Sequence, residues 1–88
     1  MSLELYPTFR NHPEGKWIIS WPDCERLQRY IQDYKPKKIL ELGSGIGAST
    51  YAMAEVINGE IWAVEQSEKC QKVAKELIPQ DLQKKIHF

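Results

Sequence analysis

From residue 20 onward the apolar positions fall alternately into helical and strand periods. Cys24, Leu27, Ile31 and Tyr34 recur at the three- and four-residue spacing of one helical face. Ser20 is placed to cap that helix, Pro22 suits its first turn and Asp23 follows the cap by three residues, while Pro36 stops it. The spacing therefore predicts a helix over residues 22–34. Ile39 to Leu42 reads as a buried strand, Ala48 to Val56 as a helix ended by the Asn58-Gly59 turn, and Ile61 to Glu65 as a second strand with Trp62 in the core. Ser67 is placed to cap a third helix. Its apolar face is Cys70, Val73, Ala74 and Leu77, whereas Glu68, Lys69, Lys72, Lys75 and Glu76 largely face water. Pro79 ends or bends this helix, and Ile86 to Phe88 reads as the start of a third strand.

Strands alternating with helices predict an α/β protein with a parallel sheet and flanking helices. The order β-α-β-α-β from Ile39 onward is one half of a doubly wound fold, so the expected architecture is incomplete, preceded by a helix and an N-terminal arm. Pro7, Pro13 and Gly15 interrupt Tyr6, Phe9 and Trp17 without a sustained period, which predicts an irregular arm over residues 1–19. Its aromatic side chains, with Trp21, are expected to pack on the body of the protein, in preference to Trp17 and Trp21 covering a ligand pocket. The expected division is an arm over residues 1–21 and a partial domain over 22–88, made of the helix 22–34 and a ligand-binding half over 37–88.

Composition narrows the function. Twelve Lys plus Arg balance twelve Asp plus Glu, so no basic excess indicates a nucleic-acid partner. Lys35, Lys37 and Lys38 cluster in the loop after the first helix and read as a solvated loop. Apolar runs are only a few residues long, against the roughly 20 that a membrane-spanning helix needs. Cys24 and Cys70 lie far apart and His12 and His87 are isolated. That spacing suits neither a metal site nor a disulfide framework and leads us to expect a reducing, cytoplasmic location.

The chemistry is concentrated in Ile39-Leu40-Glu41-Leu42-Gly43-Ser44-Gly45-Ile46-Gly47-Ala48-Ser49-Thr50. A strand runs into glycines and out into a helix, so backbone donors at the helix start can meet a polar or anionic ligand. No lysine lies between Gly43 and Tyr51, which removes the P-loop. Gly43-x-Gly45-x-x-Ala48 satisfies the dinucleotide fingerprint, with Glu65 twenty residues after Gly45 as the ribose-binding acid. The same residues also read Glu41-x-Gly43-x-Gly45-x-Gly47. Glu41 would repel a pyrophosphate, but it can receive the charged amino group of an amino-acid moiety. Three alternating glycines exceed the apparent needs of a turn and so favour a ligand. Gly45→Val is accordingly expected to harm binding more than Gly47→Ala.

In these residues the sequence resembles the class I, Rossmann-like S-adenosylmethionine-dependent methyltransferases, over roughly Ile39 to Phe88, with the preceding helix also fitting. The resemblance implies an enzyme with S-adenosyl-L-methionine as cofactor and only its cofactor-binding half in hand. It implies that Gly43, Ser44, Gly45 and Gly47 approach the cofactor and that Glu41 holds its amino group, directly or through water. It implies further that Glu65 accepts from both ribose hydroxyls, with Gln66 beside the adenine. Ser49 and Thr50 either meet the methionine carboxylate or simply cap their helix, and both readings stand at this point. In that family the acceptor and any catalytic base come mainly from loops after the fourth and later strands. The 88 residues alone are therefore expected to be inactive, and the acceptor, an O, N or C nucleophile, is unidentified. An NAD-type oxidoreductase half and a non-catalytic binding fragment are the alternatives. Self-association through the exposed edge of strand 39–42 is also expected.

Overall fold

A computed structural model describes residues 3–88; the first two residues of the expected arm lie outside it. The elements in chain order are α1 (Tyr6–Asn11), α2 (Trp21–Tyr34), β1 (Lys38–Leu42), α3 (Ala48–Val56), β2 (Glu60–Val64), α4 (Glu68–Leu77), α5 (Gln80–Gln83) and β3 (Ile86–His87). The strands form one parallel sheet in the order β1-β2-β3, with Ile39 opposite Ile61, Glu41 opposite Ala63 and Ile61 opposite Ile86. This is the expected half of a doubly wound α/β fold.

Alternation along the strands decides which face is covered. Ile61, Ala63 and Ile86 are buried and Ile39 is half-buried, whereas Leu40, Leu42 and Val64 on the other face are 66%, 75% and 50% exposed. The core thus lies on one side of the sheet, where the helices also contribute Cys24, Ile31, Ala52, Met53, Val73 and Ala74. Strands advancing in one direction across a sheet through right-handed crossovers place their helices on one face. The opposite face of the described residues is uncovered by helices and carries Leu40, Leu42, Trp62 and Val64 beside the paired Glu60 and His87.

Local chemistry explains the helix ends. Ser20 Oγ accepts from the Asp23 amide at 3.3 Å, and Ser67 Oγ accepts from the Cys70 amide at 3.2 Å, so both caps form as expected. Asp23 turns its carboxylate to Arg26, leaving only half of a capping box. At the far end of α3, Lys85 Nζ donates to the carbonyls of Ala54 and Ile57, at 3.0 and 2.8 Å, where the helix dipole favours a cation.

Four local expectations are corrected. The arm is not irregular throughout: Leu3, Tyr6 and Phe9 sit at helical spacing and are buried, with Pro7 tolerated at the start of α1. A six-residue helix is too short to register as a period. Trp62 is half-buried on the open face, stacked on His87 at 4.5 Å, because strand register sends Ile61 and Ala63 inward instead. Tyr34 lies exposed against Tyr30, and Gln28 takes a buried place on α2, donating to Ala52 O at 2.9 Å. Trp17, expected to pack, is 86% exposed, while Trp21 only partly packs, edge-on to Tyr6.

Candidate cofactor site

The loop between β1 and α3 is fixed to the end of β2. The amides of Gly43 and Ser44 both donate to Val64 O, at 2.7 and 3.1 Å. All three loop glycines have positive φ, 76°, 59° and 94° for Gly43, Gly45 and Gly47, so the turn itself requires each of them. The expectation that three glycines exceed a turn's needs is therefore corrected. Their surroundings still separate their roles. A Cβ on Gly45 would meet nothing within 4 Å, whereas one on Gly47 would lie 2.9 Å from Ile78 Cδ1 and 3.0 Å from Ala74 Cβ. Gly45 thus leaves room in front of the loop, and Gly47 lets α3 start close against α4.

Glu65 follows the end of β2 and reaches back to this loop. Its Oε1 accepts from the Gly45 amide at 2.7 Å and its Oε2 from the Ser67 amide at 2.9 Å. The Ser67 and Gly45 amides, in that order, hold its carboxyl below the ordinary 4.5 against the opposing effect of desolvation. Gln71 Nε2 donates to Glu65 O and fixes the backbone there, and Gln66 beside it is exposed. Glu41 lies on the core-facing side of β1, half-buried, where it accepts from Ser49 Oγ and Thr50 Oγ1. The N-cap of α3 is Gly47 with no side-chain cap bond, so Ser49 and Thr50 do not cap the helix. Thr50 is fully buried, with its hydroxyl directed to Glu41.

In front of the loop lies a cavity of about 200 Å³, lined by Gly43, Ser44, Gly45, Ile46, Ala48 and Ser49 on one side and Glu14, Trp17, Ile18, Ile19 and Cys70 on the other. Four of the predicted site residues, Gly43, Ser44, Gly45 and Ser49, meet there. Glu41, Gly47, Thr50, Glu65 and Gln66 do not line it. Glu41 is linked to it through Ser49, and Glu65 through Gly45. A larger hollow of about 340 Å³ beside Pro36 and Asn58 lacks these features and is bordered by Lys35 and Lys37. Sequence reasoning missed the wall built by the arm. No local pattern announces it, because Glu14 to Ile19 reach the site through long-range ties. Tyr6 Oη donates to Ile19 O at 2.7 Å, the Leu5 amide donates to Tyr51 Oη at 3.1 Å, and Lys69 Nζ pairs with Glu14 at 2.9 Å.

No lining side chain is Lys, Arg or His, and the carboxylates of Glu41 and Glu65 each accept a bond from a lining residue, Ser49 and Gly45 respectively. Such a site disfavours a polyanion and suits a ligand carrying positive charge and hydroxyl groups.

No protein-family model matches the sequence. Over 53 residues it is 38% identical to the human electron transfer flavoprotein beta subunit lysine methyltransferase, a match that covers 56% of this chain and 19% of that protein. Among solved structures it superposes on an O-methyltransferase from Bacillus cereus in complex with SAH, with a TM-score of 0.83 and 24% identity over 98% of this chain and 41% of that one. The SAH-bound methyltransferase PaMTH1 of Podospora anserina gives a TM-score of 0.79 and 25% identity, over 97% of this chain and 39% of that one. The chain thus spans about two fifths of the length of these solved proteins. It has the Rossmann-like fold of S-adenosylmethionine-dependent methyltransferases, in part.

Proposed function

We propose that the chain is the cofactor-binding part of an S-adenosylmethionine-dependent methyltransferase. The observation that carries this reading is the pair of acids at the glycine turn, Glu41 bonded to Ser49 and Thr50 of α3 and Glu65 bonded to Gly45, beside a cavity lined by no basic side chain. The residues fit the group. Gly45 leaves open the volume that a Cβ would take, allowing close backbone approach. Glu41 receives the ammonium of the methionine moiety, and the uncapped start of α3 offers its first-turn backbone amides to the carboxylate. Glu65 has lone pairs left for the ribose hydroxyls, since each of its oxygens accepts one bond of the several a carboxylate can take. Gln66, exposed next to Glu65, would stand beside the adenine, and Trp17 to Ile19 line the cavity.

Bound there, the sulfonium supplies an already activated methyl group. The chain's own part is to hold the donor in one orientation. The acceptor is an O, N or C nucleophile of the whole protein's substrate. The O-methyltransferase structures and the lysine methyltransferase relative bracket two of those three classes. The NAD-type alternative is disfavoured by Glu41, whose carboxylate beside the glycine turn would repel a pyrophosphate bound there.

A cytoplasmic location is the reading supported by the two free cysteines, Cys24 buried with its thiol pushed up to about 11 by desolvation and Cys70 half-buried. Self-association through the edge of β1 is supported by that strand's single partner, β2, within the described sheet.

Calorimetric titration with S-adenosylmethionine and, separately, NAD tests the cofactor. Saturable binding of the first and none of the second is expected. The reverse preference would remove the methyltransferase reading.

A further inference from the structure

Ser49 and Thr50 are consecutive in the first turn of α3, and neighbours on a helix point about 100° apart. Yet their hydroxyls converge on one carboxylate, Ser49 Oγ on Glu41 Oε2 and Thr50 Oγ1 on Glu41 Oε1. A hydroxyl in a helix ordinarily turns back to the carbonyl four residues earlier or out to water. Thr50 is fully buried, so water does not compete for its proton, and the carboxylate oxygen is its hydrogen-bond acceptor. Each Glu41 oxygen is thus held by one donor and keeps capacity for another. Glu65 is oriented differently, by the backbone amides of Gly45 and Ser67. The two acids that flank the turn are therefore fixed by independent sets of donors.

Building on the methyl-donor reading, we propose that Thr50 and Ser49 are positioning residues that hold the Glu41 carboxylate toward the ligand's ammonium. They set the affinity for the amino-acid end of the donor and leave the adenosine end to Glu65. An unheld glutamate would have to give up its side-chain freedom when the ligand arrives. Here α3 has ordered it beforehand. The hydroxyls also tie recognition to folding, because Glu41 comes from β1 and its two donors from the next helix.

The test compares S-adenosylmethionine with 5′-methylthioadenosine, which keeps the adenosine and the sulfur but lacks the amino-acid portion. Both are titrated into the protein and its Thr50→Val, Thr50→Ser and Ser49→Ala variants. Thr50→Val and Ser49→Ala are expected to weaken S-adenosylmethionine binding about 10-fold, as for a lost hydrogen bond to a charged group. Affinity for 5′-methylthioadenosine should stay within about twofold, and Thr50→Ser should restore the full affinity for S-adenosylmethionine. In a Glu41→Gln background, Thr50→Val should add less than about twofold. Ser49 is half-buried, so Ser49→Ala carries the same test should Thr50→Val fail to fold. Equal losses for the two ligands, or no loss for S-adenosylmethionine, overturn the positioning role and leave the donor reading standing. Failure of the unaltered protein to bind S-adenosylmethionine overturns both.

Discussion

Glu65 serves the loop and the proposed ligand at once, and its substitution separates the two. Glu65→Ala is expected to weaken S-adenosylmethionine binding by about 1.5–3 kcal/mol through lost hydrogen bonds to a charged acceptor, as read by calorimetry. It should also lower the melting temperature of the ligand-free protein, because the Gly45 and Ser67 amides lose their partner. The pH dependence follows from the direction of its shift. The folded carboxyl lies below the ordinary 4.5, so its stabilising contribution is present above that value and is lost as pH falls through the lower folded value. The stability gap between the unaltered protein and Glu65→Ala should therefore be open well above pH 4.5 and close well below it. A gap independent of pH would mean that Glu65 does not anchor the loop. The glycines divide differently. Gly45→Val should abolish ligand binding while placing a branched residue at φ 59°, a strain of about 1–3 kcal/mol. Gly47→Ala adds contacts with Ile78 and Ala74 to its own strained φ, so its main effect should be a lower melting temperature. A Gly47→Ala protein as stable as the parent would contradict the packing role.

Among the elements, α1 is held more firmly than its length suggests. Phe9 is fully buried and stacks on Tyr51 with ring centroids 5.4 Å apart, while Leu3 N and Tyr51 Oη both donate to the Glu55 carboxylate, at 3.0 and 2.7 Å. Burial pushes the Tyr51 hydroxyl up to about 12, so it stays protonated as that donor through the neutral range. Phe9→Ala is expected to cost about 3–5 kcal/mol in urea unfolding and to loosen the Glu14 to Ile19 wall. A loss under about 1 kcal/mol would show that the arm is not part of the core. The elements α2, β1, α3, β2 and α4 were legible in sequence because each carries its own signal: Ser20 and Ser67 as caps, the periodic faces of α2 and α4, the glycines before α3. Signals that span elements were not. The apolar run Ile61 to Val64 does not state which face is inward, so Trp62 was misplaced, and α5 is a single turn after Pro79 without a readable period. At the site, Glu41, Gly45 and Glu65 could be named from spacing alone. The convergence of Ser49 and Thr50 on Glu41 depends on how α3 docks beside β1, and the arm's wall on ties across some 46 residues, such as Leu5 to Tyr51.

The described residues are one-sided, with helices on one face of the sheet and Leu40, Leu42 and Val64 exposed on the other. A polypeptide of these 88 residues is expected to self-associate at micromolar concentration, through this face and the β1 edge. Leu40→Glu should shift it toward monomer in sedimentation velocity, with little loss of stability because the side chain is already in water. Identical sedimentation of the two forms would remove the face from the association. The one-sidedness also directs the chemistry: the glycine turn, Glu41 and Glu65 gather at the C-terminal ends of β1 and β2, where open α/β sheets bind their ligands. The central claim is that a positively charged adenosyl donor sits at this edge, between the two acids. Amide-resolved NMR during a titration with S-adenosylmethionine tests it most directly. The account predicts saturable shifts concentrated at Gly43, Gly45, Ser49, Gln66 and the arm residues Trp17 to Ile19, and their loss in Glu65→Ala. Shifts centred instead on the hollow at Lys35, Pro36 and Asn58, or none at the glycine turn, would contradict it.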